Sequence, residues 1–230
     1  LRRHLQIQLD KPVHFEVAGS YQAASNDVVS GASHLGLLPY NTLTNTLQSD
    51  PQLHVLAHEV VDGSEASDGY LVVARTTKAN DVKELVGSTI CYSDKLSSTG
   101  YKLPRGYLRR QGLDPDKDFV AHFSGDHQQV LRDIVEGVCT VGGTYAGNYS
   151  TATQAGIPVA RLRILVPFTG STPHDGWVAS RTADPEMVAS FTKALLDFQP
   201  ARDIGRERLG EKKRITGYVE PEPEWLNPGD

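Results

Sequence analysis

The sequence predicts an α/β fold arranged in two lobes. Three observations carry that reading. Segments rich in β-branched residues alternate with segments of helical apolar spacing, the order expected of a parallel-paired α/β chain. The alternation runs through two cycles, one before and one after "ARTTKA" (residues 74–79). The composition, 39% hydrophobic and 22% charged over 230 residues, is that of a soluble globular protein long enough to bury a sizeable core.

In the first cycle, residues 1–9 read as the tail of a helix. "KPVHFEVAG" (11–19) alternates apolar and polar residues and predicts a strand. "SYQAASNDVVSG" (20–31) predicts a helix closed by Gly31. "ASHLGLLPY" (32–40) predicts a short buried strand, and "HVLAHEVVD" (54–62) and "YLVVART" (70–76) two more.

In the second cycle, "GSTICYS" (87–93) is a strand that leads through "SDKLSSTGYKLPRGYL" (93–108) into a helix ending near Gly112. "DFVAHFS" (118–124) is a strand. "GDHQQVLRDIVEG" (125–137) places Val130, Leu131, Ile134 and Val135 at helical spacing. "VCTVGGTY" (138–145) is a strand, followed by a helix through Ala152 to Gly156. "RLRILVPF" (161–168) and "GWVASR" (176–181) are strands. "DPEMVASFTKALLDF" (184–198) is a helix with Asp184 at its cap and Pro185 at its first position. The acidic, Pro-rich tail "EPEPEWLNPGD" (220–230) predicts an extended or loose end, and no internal repeat is present.

Crossings between lobes are expected near "ARTTKA" and "VPFTGS". They give a first lobe of residues 1–76 with 169–230 and a second lobe of 77–168, with a ligand cleft between them.

A net charge of −5 argues against a nucleic-acid partner but leaves a small anion open, because a pocket's charge is local. No stretch approaches the ~18 apolar residues of a membrane span, and the first residues do not read as a charged-then-apolar leader. Cys91 and Cys139 are expected as two buried thiols, with a disulfide or a metal site as the lesser alternatives.

Ser97, Ser98, Thr99 and Gly100 lie after a strand and before a helix, the usual ligand position in an open α/β sheet. Unpaired N–H groups and a partial positive charge gather at a helix start. The three hydroxyls add donors, and Gly100 allows close backbone approach, so the stretch can hold an oxyanion without a lysine. Pro104 fits if the regular helix begins there. The plainer reading is an N-cap with spare hydroxyls. His127, in "SGDHQQV", stands at a second strand-to-helix junction and could donate to the same anion; taken alone, it reads as a surface histidine. Tyr40 follows a buried strand and Tyr70 opens another; a lone tyrosine is more often a packing residue. The histidines form no metal pattern. There is no P-loop, no GxGxxG and no GxSxG elbow, so neither cofactor nor catalytic residues are expected.

In order along the chain, "LPY", "SSTGYKLPRGYL", "GLDPDKDF" and "FSGDH" resemble the motifs of the phosphate, phosphite and phosphonate substrate-binding proteins of ABC transporters, over nearly the whole chain to about residue 200. The resemblance implies a type II periplasmic-binding-protein fold with two hinged α/β lobes, capture of an oxyanion by lobe closure, and delivery to a membrane permease. It implies an exported, periplasmic or extracellular, membrane-associated protein that is not an enzyme. Ser97, Ser98, Thr99 and Gly100 would wrap the oxygens, with His127 on the same lobe and Tyr40 and Tyr70 closing from the other.

Three departures from the pattern bear on this. The family's opening strand is not in this sequence, so an uncovered sheet position is expected in the first lobe. "GDH" stands for the family's "GSH", so Asp126 would accept a proton from the anion or point to water. "CTVGGTYAGNY" offers Thr140, Thr144 and Tyr145 but no carboxylate, against an amine-bearing ligand. The alternatives are a ligand-sensing domain of a receptor or regulator, or a small-molecule enzyme, since one fold hosts several functions.

Overall fold

The computed structural model describes residues 1–200, 202–203 and 215–222. It divides into two compact units, Leu1–Ala66 with Pro173–Asp230, and Ser67–Thr172. The divisions fall at 66/67 and 172/173 rather than at the expected 76/77 and 168/169, so Tyr70 belongs to the second unit.

The first unit contains α1 (Arg2–Leu9), α2 (Tyr21–Ser30), β1 (Leu35–Leu38), α3 (Tyr40–Ser49) and β2 (His54–Val61), then β8 (Gly176–Ala179), α7 (Pro185–Leu196) and β9 (Ile215–Val219). Its sheet runs β1-β8-β2-β9, and every described pairing in it is antiparallel. The parallel pairing expected here is absent among the described residues because the returning β8 inserts between β1 and β2 and runs against both. One core cluster gathers Leu5, Leu56, Trp177, Phe191, Leu195 and Tyr218 between this sheet, α1 and α7.

Three elements differ from the sequence reading, one of them β9, a strand that is not predicted. Residues 11–18 form no ladder, although Val13 packs on the core cluster and the Phe15 ring lies 6.2 Å from Trp177. Alternation selects an extended chain, but a strand also needs a hydrogen-bonded neighbour, and none pairs with this segment among the described residues. Conversely, α3 forms over "YNTLTNTLQS", where no helix is predicted; Leu43, fully buried, and Leu47 one turn on pack its inner face. The tail expectation lies outside the described residues from 223 onward.

The second unit contains β3 (Ala66–Ala74), β4 (Thr89–Tyr92), α4 (Leu103–Arg110), β5 (Val120–Phe123), α5 (His127–Glu136), β6 (Val141–Tyr145), α6 (Ala146–Thr151) and β7 (Leu162–Pro173). Its sheet order is β5-β4-β6-β3-β7, with β5, β4 and β6 parallel and β3 antiparallel to β6. Leu71, Val73, Ile90, Tyr92 and Leu108 fill one side of the sheet; Val72, Val130, Leu131 and Ile134 fill the other. Each such side chain contributes about 1.5–3 kcal/mol when fully buried.

Cys91 and Cys139 are joined as a disulfide, against the expectation of two thiols. Cys91 lies in β4 and Cys139 two residues before the neighbouring β6, which sets their Cα atoms 5.7 Å apart.

Candidate functional site

Because β5, β4 and β6 are parallel neighbours, their carboxyl ends share one edge of the second unit's sheet. Each end runs into a helix start: β4 into the turn at Ser97–Lys102, β5 into α5, and β6 into α6. This edge collects N–H groups and hydroxyls, and ligands bind there in open α/β sheets.

Ser97, Ser98 and Thr99 are 2%, 8% and 7% exposed, unlike solvated capping hydroxyls. Ser97 caps a short π-helical turn, Ser98–Lys102, that precedes α4. Pro104 then sits in the first turn of α4, where its missing N–H is not needed. The Ser97 Oγ accepts the Gly100 N–H at 3.0 Å and lies 3.2 Å from His127 Nε2. His127 Nδ1 lies 3.4 Å from Thr144 Oγ1, which also accepts from Asn148 Nδ2 at 3.0 Å. Asn148 Nδ2 donates to the His127 carbonyl as well, at 2.9 Å.

Each imidazole nitrogen thus faces a hydroxyl that accepts one N–H and still has both a proton and a lone pair to offer, so either tautomer of His127 satisfies both contacts. The Tyr145 ring meets the imidazole edge-on at 4.9 Å. A Cβ on residue 100 would lie 2.0 Å from Ser93 Oγ and 2.8 Å from His127 Cε1, so only glycine fits there. Ser93 Oγ itself is buried with no hydrogen-bond partner among the described residues.

The "GLDPDKDF" motif supports this turn from outside. Asp116 grips Arg105 of α4 through two hydrogen bonds of 2.8 and 2.5 Å, and the guanidinium stacks 4.9 Å over Tyr101. The hydrogen bond from Arg105 holds the Asp116 carboxyl below its ordinary value. Beneath the turn, burial pushes the Tyr92 phenol up to about 12, with Arg105 opposing. Asp126 acts within its own helix, where its carboxylate caps α5 by accepting the Gln129 N–H at 2.7 Å.

The structure therefore brings Ser97, Gly100 and His127 into one bonded cluster, with Ser98 and Thr99 in the same turn. Tyr70 stands directly opposite Thr144 in the β3–β6 ladder, so both side chains leave the same sheet face. Its ring packs edge-on against Tyr149 at 5.9 Å, and burial, ahead of Asp68 and Tyr149, raises its phenol. Tyr40 opens α3 in the first unit, its phenol likewise raised by burial. Sequence reasoning missed Asn148 and Ser93 and gave Thr144 no role. The signal was available: all three follow or close a strand of the same parallel set.

Two α/β units joined by two chain crossings are the arrangement of the periplasmic-binding-protein fold. A family model for phosphonate ABC transporter periplasmic substrate-binding proteins matches residues 1–226, and the chain belongs to that family. The family is one of substrate-binding transport proteins rather than of enzymes.

Among solved structures, PhnD1 from Prochlorococcus marinus in complex with methylphosphonate superposes with a TM-score of 0.80 at 17% identity, covering 98% of this chain and 86% of that one. A binding protein component of an ABC phosphonate transporter from Pseudomonas aeruginosa gives 0.84 at 14% identity, with 98% and 76% covered. The alkanesulfonate-binding protein SsuA from Xanthomonas axonopodis pv. citri bound to MOPS gives 0.67 at 16%, with 97% and 81% covered.

Proposed function

We propose that the carboxyl edge of β4, β5 and β6 holds a small tetrahedral oxyanion of the phosphonate, phosphite or phosphate class, for delivery to the permease of an ABC importer. The observation that carries this is the buried hydroxyl turn Ser97–Thr99, its Gly100 closed against His127 and Ser93. The first-turn N–H groups of such a segment suit an anion, and charge-assisted hydrogen bonds contribute roughly 1.5–3 kcal/mol each.

His127, fixed by Ser97 and Thr144, is the group that senses the anion's charge in this reading. Tyr70 belongs to the same sheet, whereas the roles of Tyr40 and of lobe closure are carried by the family resemblance alone. An exported, periplasmic or extracellular, membrane-associated location accords with the Cys91–Cys139 disulfide, since disulfides persist in oxidising compartments. No catalytic role is proposed.

The test is a thermal-shift panel of methylphosphonate, phosphite, phosphate and an alkanesulfonate. A ligand at 100 times its Kd adds about 2.7 kcal/mol. Stabilisation by one of the phosphorus oxyanions is expected. Stabilisation by the sulfonate alone, or by none of the four, overturns the assignment.

A further inference from the structure

On the sheet face covered by α5, a second group of side chains converges, and the anion-binding reading does not use it. Cys91 and His122 are direct partners across the parallel β4–β5 ladder. Asp133, on α5 above them, is 5% exposed. Its Oδ2 lies 3.4 Å from His122 Nε2 and 3.8 Å from Cys91 Sγ, and one donor atom from each of the three residues falls within 4.8 Å of the others. Cys139 Sγ is bonded to Cys91 Sγ, so reduction frees a second thiol next to these three donors. Asp133 is oriented by Ser124 Oγ, at 2.6 Å from Oδ2, and by Gln129 Nε2, at 2.7 Å from Oδ1. The His122 side chain is 44% exposed, which gives an ion a route in from solvent.

From this convergence we infer that the reduced protein binds one divalent cation of the zinc class through Cys91, Cys139, His122 and Asp133. Two thiolates, an imidazole and a carboxylate are a zinc donor set. Bond lengths of about 2.0–2.3 Å place tetrahedral ligands about 3.3–3.8 Å apart, close to the two separations measured around Asp133. Ser124 and Gln129 are the outer hydrogen bonds that such a carboxylate ligand takes.

In the disulfide the sulfurs are uncharged and weak ligands, so the site exists only after reduction. A dithiol reductant supplies two electrons and two protons, breaks the S–S bond and is itself oxidised to its disulfide. Binding of the cation then releases the two thiol protons. The ion would replace the covalent tie of β4 to the start of β6 and add β5 and α5 to it.

The experiment is a cobalt(II) titration of the full chain, reduced with excess dithiol that is then removed under anaerobic conditions, with zinc competition afterwards. One equivalent should bind with a sulfur-to-cobalt charge-transfer band and the visible bands of a tetrahedral ion, and zinc should displace it. The oxidised chain should show neither band. His122→Ala and Asp133→Asn, each checked for fold by circular dichroism in the oxidised form, should weaken binding at least tenfold, and the Cys91→Ser, Cys139→Ser double variant should abolish the charge-transfer band. If reduction alone unfolds the chain, recovery of the folded spectrum on adding zinc supports the site, and failure to recover overturns it. Absence of binding, or binding unchanged in both His122→Ala and Asp133→Asn, also overturns it.

Discussion

The two sheets of this chain differ in pairing direction, and that difference decides where chemistry gathers. In the first unit, β8 runs antiparallel between β1 and β2, so strand ends of opposite sense alternate along each edge. In the second, β5, β4 and β6 run together, and three strand-to-helix junctions meet on one edge. A histidine in each unit makes the contrast concrete. His58 lies within β2, fully buried, with Nδ1 3.1 Å from the His174 carbonyl; burial lowers its pKa from the ordinary 6.5, with the His174 bond and Asp175 opposing. His127 opens a helix, partly exposed, with a hydroxyl at each nitrogen. The first is built to stay neutral inside a core. The second is placed where a charge can reach it.

The largest expected effect contrasts two crowded glycines. Gly176→Ala in the first unit would drive a Cβ to 2.6 Å from Leu43 and 2.8 Å from His58, an overpacking lesion of about 1–3 kcal/mol read by chemical denaturation. Gly100→Ala should in addition weaken oxyanion binding by about 100-fold, or ~2.7 kcal/mol by calorimetry, because it displaces His127 and the hydroxyl turn together. Equal affinity in the Gly100 variant and the parent would break the distinction between the two units.

The histidines should respond to acid differently. A lowered pKa means that the unfolded chain takes the His58 proton first, so stability is fully present above the ordinary value of 6.5 and declines as pH falls below it. The His58 ring resonance, followed by NMR, should titrate below that value. For His127, affinity for an anion that does not titrate between about pH 5 and 8 should rise as pH falls through the histidine range, and His127→Gln should flatten the slope. Identical slopes in parent and variant would remove His127 from the proton linkage.

The smallest effect is expected at the clamp. Asp116 is 63% exposed on its side chain, so Asp116→Asn should cost less than about 1 kcal/mol at neutral pH. Its carboxyl is held low by Arg105, so the contribution is present above the ordinary 3.8 and fades as pH falls below it. Acid titration of the parent and the asparagine variant should converge in that range.

What was legible in the sequence follows from the range of the interactions. The turn at Ser97–Gly100 could be located because a strand, a hydroxyl cap and a helix-compatible proline are local signals. So could α5 and α7, whose caps Asp126 and Asp184 bond three residues on. That residues 11–18 form no ladder could not be read from the sequence, since pairing depends on a neighbour distant in sequence. α3 was hidden by its run of Thr and Asn, residues that favour caps over helix interiors; here the buried Thr46 hydroxyl bonds back to the Thr42 carbonyl at 2.7 Å. The partners of His127, Thr144 and Asn148, come from another strand and helix, and no spacing rule joins them.

The central claim is that the buried hydroxyl turn after β4 holds the anion, and a calorimetric titration of methylphosphonate into the parent and the Ser98→Ala, Thr99→Ala double variant tests it most directly. With circular dichroism confirming the fold, the double variant should bind at least tenfold more weakly, a loss of about 1.4 kcal/mol or more. Affinity equal to that of the parent would contradict the account.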